Sequence, residues 1–203
     1  MQEIATGLWR WTGWHEEWKE DVGCVYYEAA DAVCLIDPLV PPEDAERFLE
    51  HLDSDVARAG LPAHVLITVY WHARSGGDLA RRYGGRLWAN TKARAAIDRR
   101  TKAVSDSFRP GDTLPGDLEA LATGRGSEVA YWIGSHRALV VGDALLGSPL
   151  RLCPESWLRA GGHAELRASL RPLLDLPVER VLTSHGEPVL EDGRGALRRL
   201  LLG

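Results

Sequence analysis

Apolar and polar positions along this chain change rhythm several times, and each change predicts an element. EIATGLWRW (3–11), GCVYYEA (23–29) and AVCLIDP (32–38) are β-branched or aromatic runs that read as strands, and the short Ala-Asp link between the last two suits a hairpin. Pro41-Pro42 then opens a segment in which Ala45, Phe48, Leu49, Leu52 and Val56 recur at helical spacing, with Gly60 as the stop. HVLITVY (64–70) is a near-continuous apolar run, as in a strand covered on both faces. A short helix over 75–83, a strand at RLWAN and an Arg-rich helix with Thr91 as its N-cap follow. LEALATG, SEVAYWIG and HRALVVGD predict three strands joined by glycine-containing turns, and the tail predicts helix (161–176), strand (178–186) and a last helix at GRGALRRLLLG. With no linker, repeat or low-complexity stretch, residues 1–203 are expected to form one α/β domain with helices on both outer faces of a two-sheet core.

Composition narrows the class. Hydrophobic residues make up 45% and charged residues 26%, an ordinary globular balance. No apolar run reaches the roughly 18 residues of a transmembrane helix, and the start lacks a basic region followed by an apolar stretch, so a cytoplasmic protein without a membrane partner is expected. The net charge of −5 argues against nucleic acid as a partner. The charge is uneven: residues 74–102 carry a net +7 and residues 15–57 a net −11. Two solvated helix faces account for this; a dipole that orients an anionic ligand or a second copy in a homodimer is the alternative. Cys24, Cys34 and Cys153 have no CxxC spacing and are expected to be buried apolar residues.

Seven histidines raise the question of a metal. The order of landmarks resembles the metallo-β-lactamase superfamily across nearly the whole chain. CLIDP around Asp37 matches an early strand ending in a structural Asp. LITVYWHARSGGDLARRYGG (66–85) matches the strand, metal loop and helix. TGRGSEVAYWIGSHRALVVGDAL (123–145) matches the third-region stretch ending in Gly-Asp, and TSHGEP (183–188) the last histidine loop. The resemblance implies an αβ/βα four-layer sandwich with its site at the sheet edge.

Laid on the family's Thr-His-x-His-x-Asp-His-x-Gly-Gly from Thr68 to Gly77, the ligand positions hold Val69, Trp71, Ala73 and Arg74, and the third-region histidine falls on Arg125. Asp143 and His185 remain in place. His72 lies in the loop at a position that is not a ligand, so its side chain is expected to point away from the centre. Two retained donors fall short of a metal's coordination, and Arg offers no lone pair. The expectation is therefore a degenerate site with no metal or other cofactor, in which Arg74 and Arg125 face Asp143 in place of a metal's charge. Such a protein would be non-catalytic or bind a small anionic molecule. The alternative is a hydrolase of ester, lactone or phosphoester bonds, with one zinc, iron or manganese ion on His72, Asp143 and His185, or metal-free with His185 or His72 as base.

Trp14 and Trp18, in a segment too polar for a strand, are expected in a loop over the site mouth, where with Trp71 they could line an aromatic pocket; capping the core or a dimer interface is the other reading. Trp9 and Trp11 share a strand face and belong to the core. His15, His51, His64, His136 and His163 are expected to be solvated. The sequence has no GxSxG, HExxH or phosphate-binding loop.

Overall fold

The computed structural model describes residues 1–147, 149–158 and 161–203. Its elements in chain order begin with β1 (Gln2–Ala5), β2 (Leu8–His15), β3 (Glu20–Glu28), β4 (Val33–Ile36), α1 (Ala45–Ala59), β5 (Ala63–Leu66), α2 (Gly76–Arg82), β6 (Arg86–Asn90), α3 (Arg94–Thr101) and β7 (Val104–Phe108). The second half contributes β8 (Thr113–Leu114), β9 (Leu118–Ala122), β10 (Val129–Ile133), β11 (Ala138–Val141), β12 (Leu145–Leu146), β13 (Arg151–Leu152), α4 (Gly162–Leu170), β14 (Arg180–Thr183) and α5 (Gly193–Leu202).

Strands β1 to β7 form one sheet in sequence order, antiparallel as far as β4 and parallel from there. The second sheet runs β14-β11-β10-β9-β8, with β11 and β14 parallel. Leu8, Val25, Cys34 and Ile36 of the first sheet pack against Leu118, Val129, Tyr131 and Val140 of the second in a shared core. The outer face of the first sheet is covered by α1, α2 and α3 through residues such as Leu52, Leu79 and Ile97. On the second sheet Leu166, Leu170, Leu197 and Leu201 of α4 and α5 do the same. The four layers expected from the alternation of strands and helices are thus present.

Several boundaries differ from the sequence reading. The first run is a hairpin, with Gly7 at φ 84° turning β1 into β2. β2 continues through Trp14 to His15, because Thr12 and Trp14 face outward on either side of the buried Gly13 while β3 supplies a full ladder of partners. β5 ends at Leu66, and Tyr70–Ala73 form a 3₁₀ turn. Thr91 is not the cap of α3; Ala93 precedes the helix, and the Thr91 hydroxyl donates to the Phe108 carbonyl at 2.9 Å, joining the ends of β6 and β7. The N-terminal part of α2 lies against the end of α3 so closely that a Cβ on Gly77 would stand 2.8 Å from the Thr101 carbonyl oxygen. Gly77→Ala is therefore expected to lower unfolding stability by about 1–3 kcal/mol; an unchanged urea midpoint would contradict this packing. No described helix is long and apolar enough to cross a membrane.

Candidate metal centre and adjoining cavities

The site gathers where strands of both sheets end. β4 and β5 are parallel neighbours, and Asp37 and Thr68 follow their C-terminal ends; β11 and β14 are parallel neighbours, and Asp143 and His185 each lie two residues past theirs. Side chains placed beyond the carboxyl ends of adjacent parallel strands converge on one crevice. The two sheets are locked there by the Val129 N–H to the Thr68 carbonyl (2.9 Å) and the Tyr131 hydroxyl to the Ile67 carbonyl (2.9 Å). β3 adds the Gly23 N–H to the Ser184 carbonyl at 2.7 Å, an approach that leaves no room for a side chain, since a Cβ on Gly23 would fall 2.5 Å from the Thr183 oxygen.

His72 does not point away from the centre. The 3₁₀ turn brings its ring inward, fully buried, with Nδ1 2.9 Å from Asp37 Oδ2 and Nε2 3.1 Å from Asp143 Oδ1. The expectation assumed that the family's loop backbone is kept; here Tyr70–Ala73 form a 3₁₀ turn, in which successive side chains are rotated by about 120°. Asp37, at φ 49°, is the hub of this arrangement: Thr68 N–H (2.8 Å) and its hydroxyl (2.5 Å) donate to it, and the Ser184 hydroxyl approaches at 3.4 Å. A carboxylate on Nδ1 places the ring proton there and leaves the Nε2 lone pair directed at the crevice.

His185 Nε2 also lies 3.1 Å from Asp143 Oδ1, with Nδ1 3.3 Å from the half-exposed Glu20. His72 Nε2, Asp143 Oδ1 and His185 Nε2 thus meet, and the three residues' donor atoms can all be chosen within 4.8 Å of one another. The contacts are short but misaligned: His72 Nε2 and Asp143 Oδ1 are buried without a hydrogen-bond partner among the described residues. Buried polar atoms are seldom left so, and two imidazoles with one carboxylate and an open side fit a divalent transition ion.

The other carboxylate oxygen of Asp143 is taken. Oδ2 accepts from Trp71 Nε1 at 2.7 Å and lies 3.4 Å from Arg125 NH1. Trp71, which falls on a ligand position in the motif comparison above, is thus a hydrogen-bond donor to Asp143. Arg125 meets Asp143 as expected, but its shorter contact is to the buried Glu128 at 2.7 Å. Arg74 does not face Asp143; its NH1 donates to the main-chain carbonyls of Asp37 (2.9 Å) and Gly23 (3.2 Å), tying β3 to β4. Arg74 sits at φ 34°, and its guanidinium lies 5.5 Å from the Trp18 ring.

These charges set the ionisation of the centre. Burial would push the Asp143 carboxyl up, but the His185 and His72 nitrogens beside it hold it well below the carboxylate range. Burial and the Arg74 charge work against an imidazolium at His72, yet Asp37 and Asp143 outweigh them and raise its pKa. Burial pushes the Glu128 carboxyl up, to about 7, despite Arg125.

Trp18 lies in the turn between β2 and β3 and covers the centre, its ring 5.6 Å from that of His72 and 5.8 Å from that of His185. A cavity of about 480 Å³ opens beside it, walled by Trp18, Trp71, Arg125, Asp143, Trp157 and His185. Trp14 lies in β2, 37% exposed, and lines neither this cavity nor the larger one described below, so it is no part of an aromatic rim. Most of the remaining histidines are not simply solvated. His64 is buried and accepts from Trp88 Nε1 at 3.0 Å, and His15 stacks on Trp18 at 3.8 Å. His136 lies 2.8 Å from the Thr6 carbonyl and His163 2.7 Å from that of Cys153; His51 alone is as expected. All three cysteines are buried. The sequence reading missed Glu128, Glu20, Trp157 and the role of Asp37 toward His72. A charged residue heading the apolar run VAYWI was the available signal for Glu128.

No family model and no curated protein matches the sequence. The fold, however, has relatives among solved structures. A metallo-beta-lactamase family protein from Thermus thermophilus superposes with a TM-score of 0.69 at 18% identity, over 98% of this chain and 80% of that one. A metallo-beta-lactamase from Pontibacter korlensis gives 0.72 at 16% identity over 100% and 98%, and one from Hirschia baltica 0.70 at 16% over 98% and 94%. At these identities the likeness establishes the fold: this is a metallo-β-lactamase-like αβ/βα sandwich.

Proposed function

We propose that this protein is a hydrolase of ester, lactone or phosphoester bonds that works with a single divalent metal ion, zinc, iron or manganese, held by His72, Asp143 and His185. The observation that carries this reading is the pair of buried, unpartnered atoms, His72 Nε2 and Asp143 Oδ1, meeting beside His185 Nε2 while Asp37 backs the first imidazole. The likeness in fold to proteins named metallo-beta-lactamases supports hydrolysis as the reaction class. A single ion follows because Asp143 Oδ2 is bonded to Trp71 and Arg125, and because Val69 and Ala73 offer no donor.

When bound, such an ion activates water and polarises a carbonyl or phosphoryl oxygen. The chain's own residues do the rest. Asp37 fixes the tautomer of His72, Glu128 and Asp143 hold Arg125 at the pocket wall, and Trp18 shields the imidazoles from bulk water. A metal-free, non-catalytic binding protein is the second reading. It is favoured by the Arg125 guanidinium on Asp143 and by the carboxylates that stabilise a charged His72.

Dialysis against zinc, manganese or iron(II) followed by elemental analysis separates the two. One tightly held equivalent in the wild type, reduced at least about tenfold in affinity in His72→Ala and His185→Ala with melting transitions retained, is the expected result. Less than about a tenth of an equivalent of every metal in the wild type overturns it.

A further inference from the structure

A second cavity, about 790 Å³, adjoins the first and shares Trp71, Arg125 and Trp157 with it as lining residues. Its volume is that of an organic ligand rather than of a lone ion. Among the described residues two cations stand in its wall, Lys92 and Arg125, the second already paired with Glu128 and Asp143. Lys92 is exposed and has no ion-pair partner among the described residues. Arg125 is largely buried, its guanidinium 5.2 Å from the Trp71 ring and 5.7 Å from that of Trp157, and its Nε has no partner among the described residues.

The two segments are stapled together. Asn90 Oδ1 accepts from the Lys92 N–H at 3.1 Å, while Asn90 Nδ2 donates to the Ser127 carbonyl at 2.8 Å. The backbone segments that carry Lys92 and Arg125 are therefore held together without a ligand. Glu165, the one carboxylate of the wall among the described residues, is turned toward the N-terminal end of α4, where a Cβ on Gly161 would fall 1.8 Å from its Oε2. Tyr70 and Trp71, stacked edge to face at 4.5 Å, supply flat apolar surface beside the cations.

We propose that this cavity is a recognition pocket for a small organic anion, a planar or aromatic group bearing a carboxylate or phosphate, whose charge is met by Lys92 and Arg125. Resting on the hydrolase reading above, it makes the substrate a two-part molecule. The anionic end lies with Lys92, and the bond to be cleaved lies in the adjoining cavity beside Asp143 and His185. Arg125 touches both cavities, so it couples anion recognition to the reactive centre.

The test is calorimetric titration of metal-stripped protein with 2-naphthoate, 2-naphthyl phosphate, inorganic phosphate and neutral 2-naphthol. One of the naphthyl anions is expected to bind about tenfold or more tightly than 2-naphthol or inorganic phosphate; which one binds better identifies the anionic group. Lys92→Ala, an exposed change that leaves the core untouched, should weaken that anion about two- to fivefold, with loss of the preference over 2-naphthol in Lys92→Glu. Equal binding of the neutral and anionic compounds, or an unchanged Lys92→Ala, overturns the proposal. Because the protein is stripped of metal, anion binding with no metal uptake would overturn the hydrolase reading and leave the pocket standing, whereas the reverse would remove the pocket alone.

Discussion

Asp37→Asn is expected to lower zinc affinity by about 10- to 100-fold, the cost found when the outer partner of a metal-ligating histidine is lost. Asp37 accepts from Thr68 N–H and Thr68 hydroxyl while bonding His72 Nδ1 at 2.9 Å. An amide has one oxygen for these donors, and the Thr68 hydroxyl and His72 Nδ1 share Oδ2, so its NH₂ must face either the Thr68 N–H, at the Oδ1 position, or the hydroxyl and the imidazole together. In the second case His72 Nδ1 becomes the acceptor, its proton moves to Nε2, and the lone pair aimed at Asp143 and His185 disappears. In the first case Thr68 is left mispaired in a buried site, which costs about 1–3 kcal/mol of stability. Asp37→Ala removes the hub altogether and should cost about 3–5 kcal/mol. Competition titration with a zinc chelator and urea unfolding measure the two effects, and nitrogen chemical shifts of His72 report the tautomer. An Asn variant that binds zinc as the wild type does would show that Asp37 is only a structural carboxylate.

The layers were legible in the sequence because burial writes itself into periodicity. VAYWI and ALVV are apolar throughout because both faces of the second sheet are covered, and Leu52 recurs with Phe48 and Val56 because one face of α1 is. Asp143 and His185 were legible for a similar reason, since each follows a recognisable strand by two residues. The orientation of His72 was not. Tyr70–Ala73 close into a 3₁₀ turn because β5 ends early, at Leu66, and no pattern of apolar residues distinguishes that turn from continued strand in HVLITVY. Arg74 was misplaced by the same four residues. Motif alignment carries side-chain direction only where the backbone between matched positions is kept, and the φ of 34° at Arg74 is not legible in the sequence. Glu128 escaped because its partners, Arg125 and the Ala144 N–H, are supplied by tertiary approach.

Glu128→Gln should change how stability depends on pH more than any surface substitution would. Glu128 is 3% exposed at the head of β10, with one carboxylate oxygen 2.7 Å from Arg125 NH1 and the other accepting from the Ala144 N–H at 2.8 Å. Burial pushes its carboxyl up to about 7, against an ordinary 4.5. The folded state holds this proton more tightly than the unfolded chain does. Its contribution to stability is therefore complete below the unfolded value, is lost as pH rises through the folded one, and is level above that. Each pH unit of displacement is worth about 1.4 kcal/mol, so the loss across the window is on the order of 3 kcal/mol. Glutamine has no proton to release. It keeps an acceptor for Arg125 or the Ala144 N–H, so the difference in unfolding free energy, wild type minus variant, should fall by that amount between pH 4.5 and about 7 and then stay flat. Urea unfolding of both proteins at half-unit intervals measures it. A difference that is constant, or that grows with pH, would mean that Arg125 keeps Glu128 ionised throughout and that burial is the weaker effect at this position.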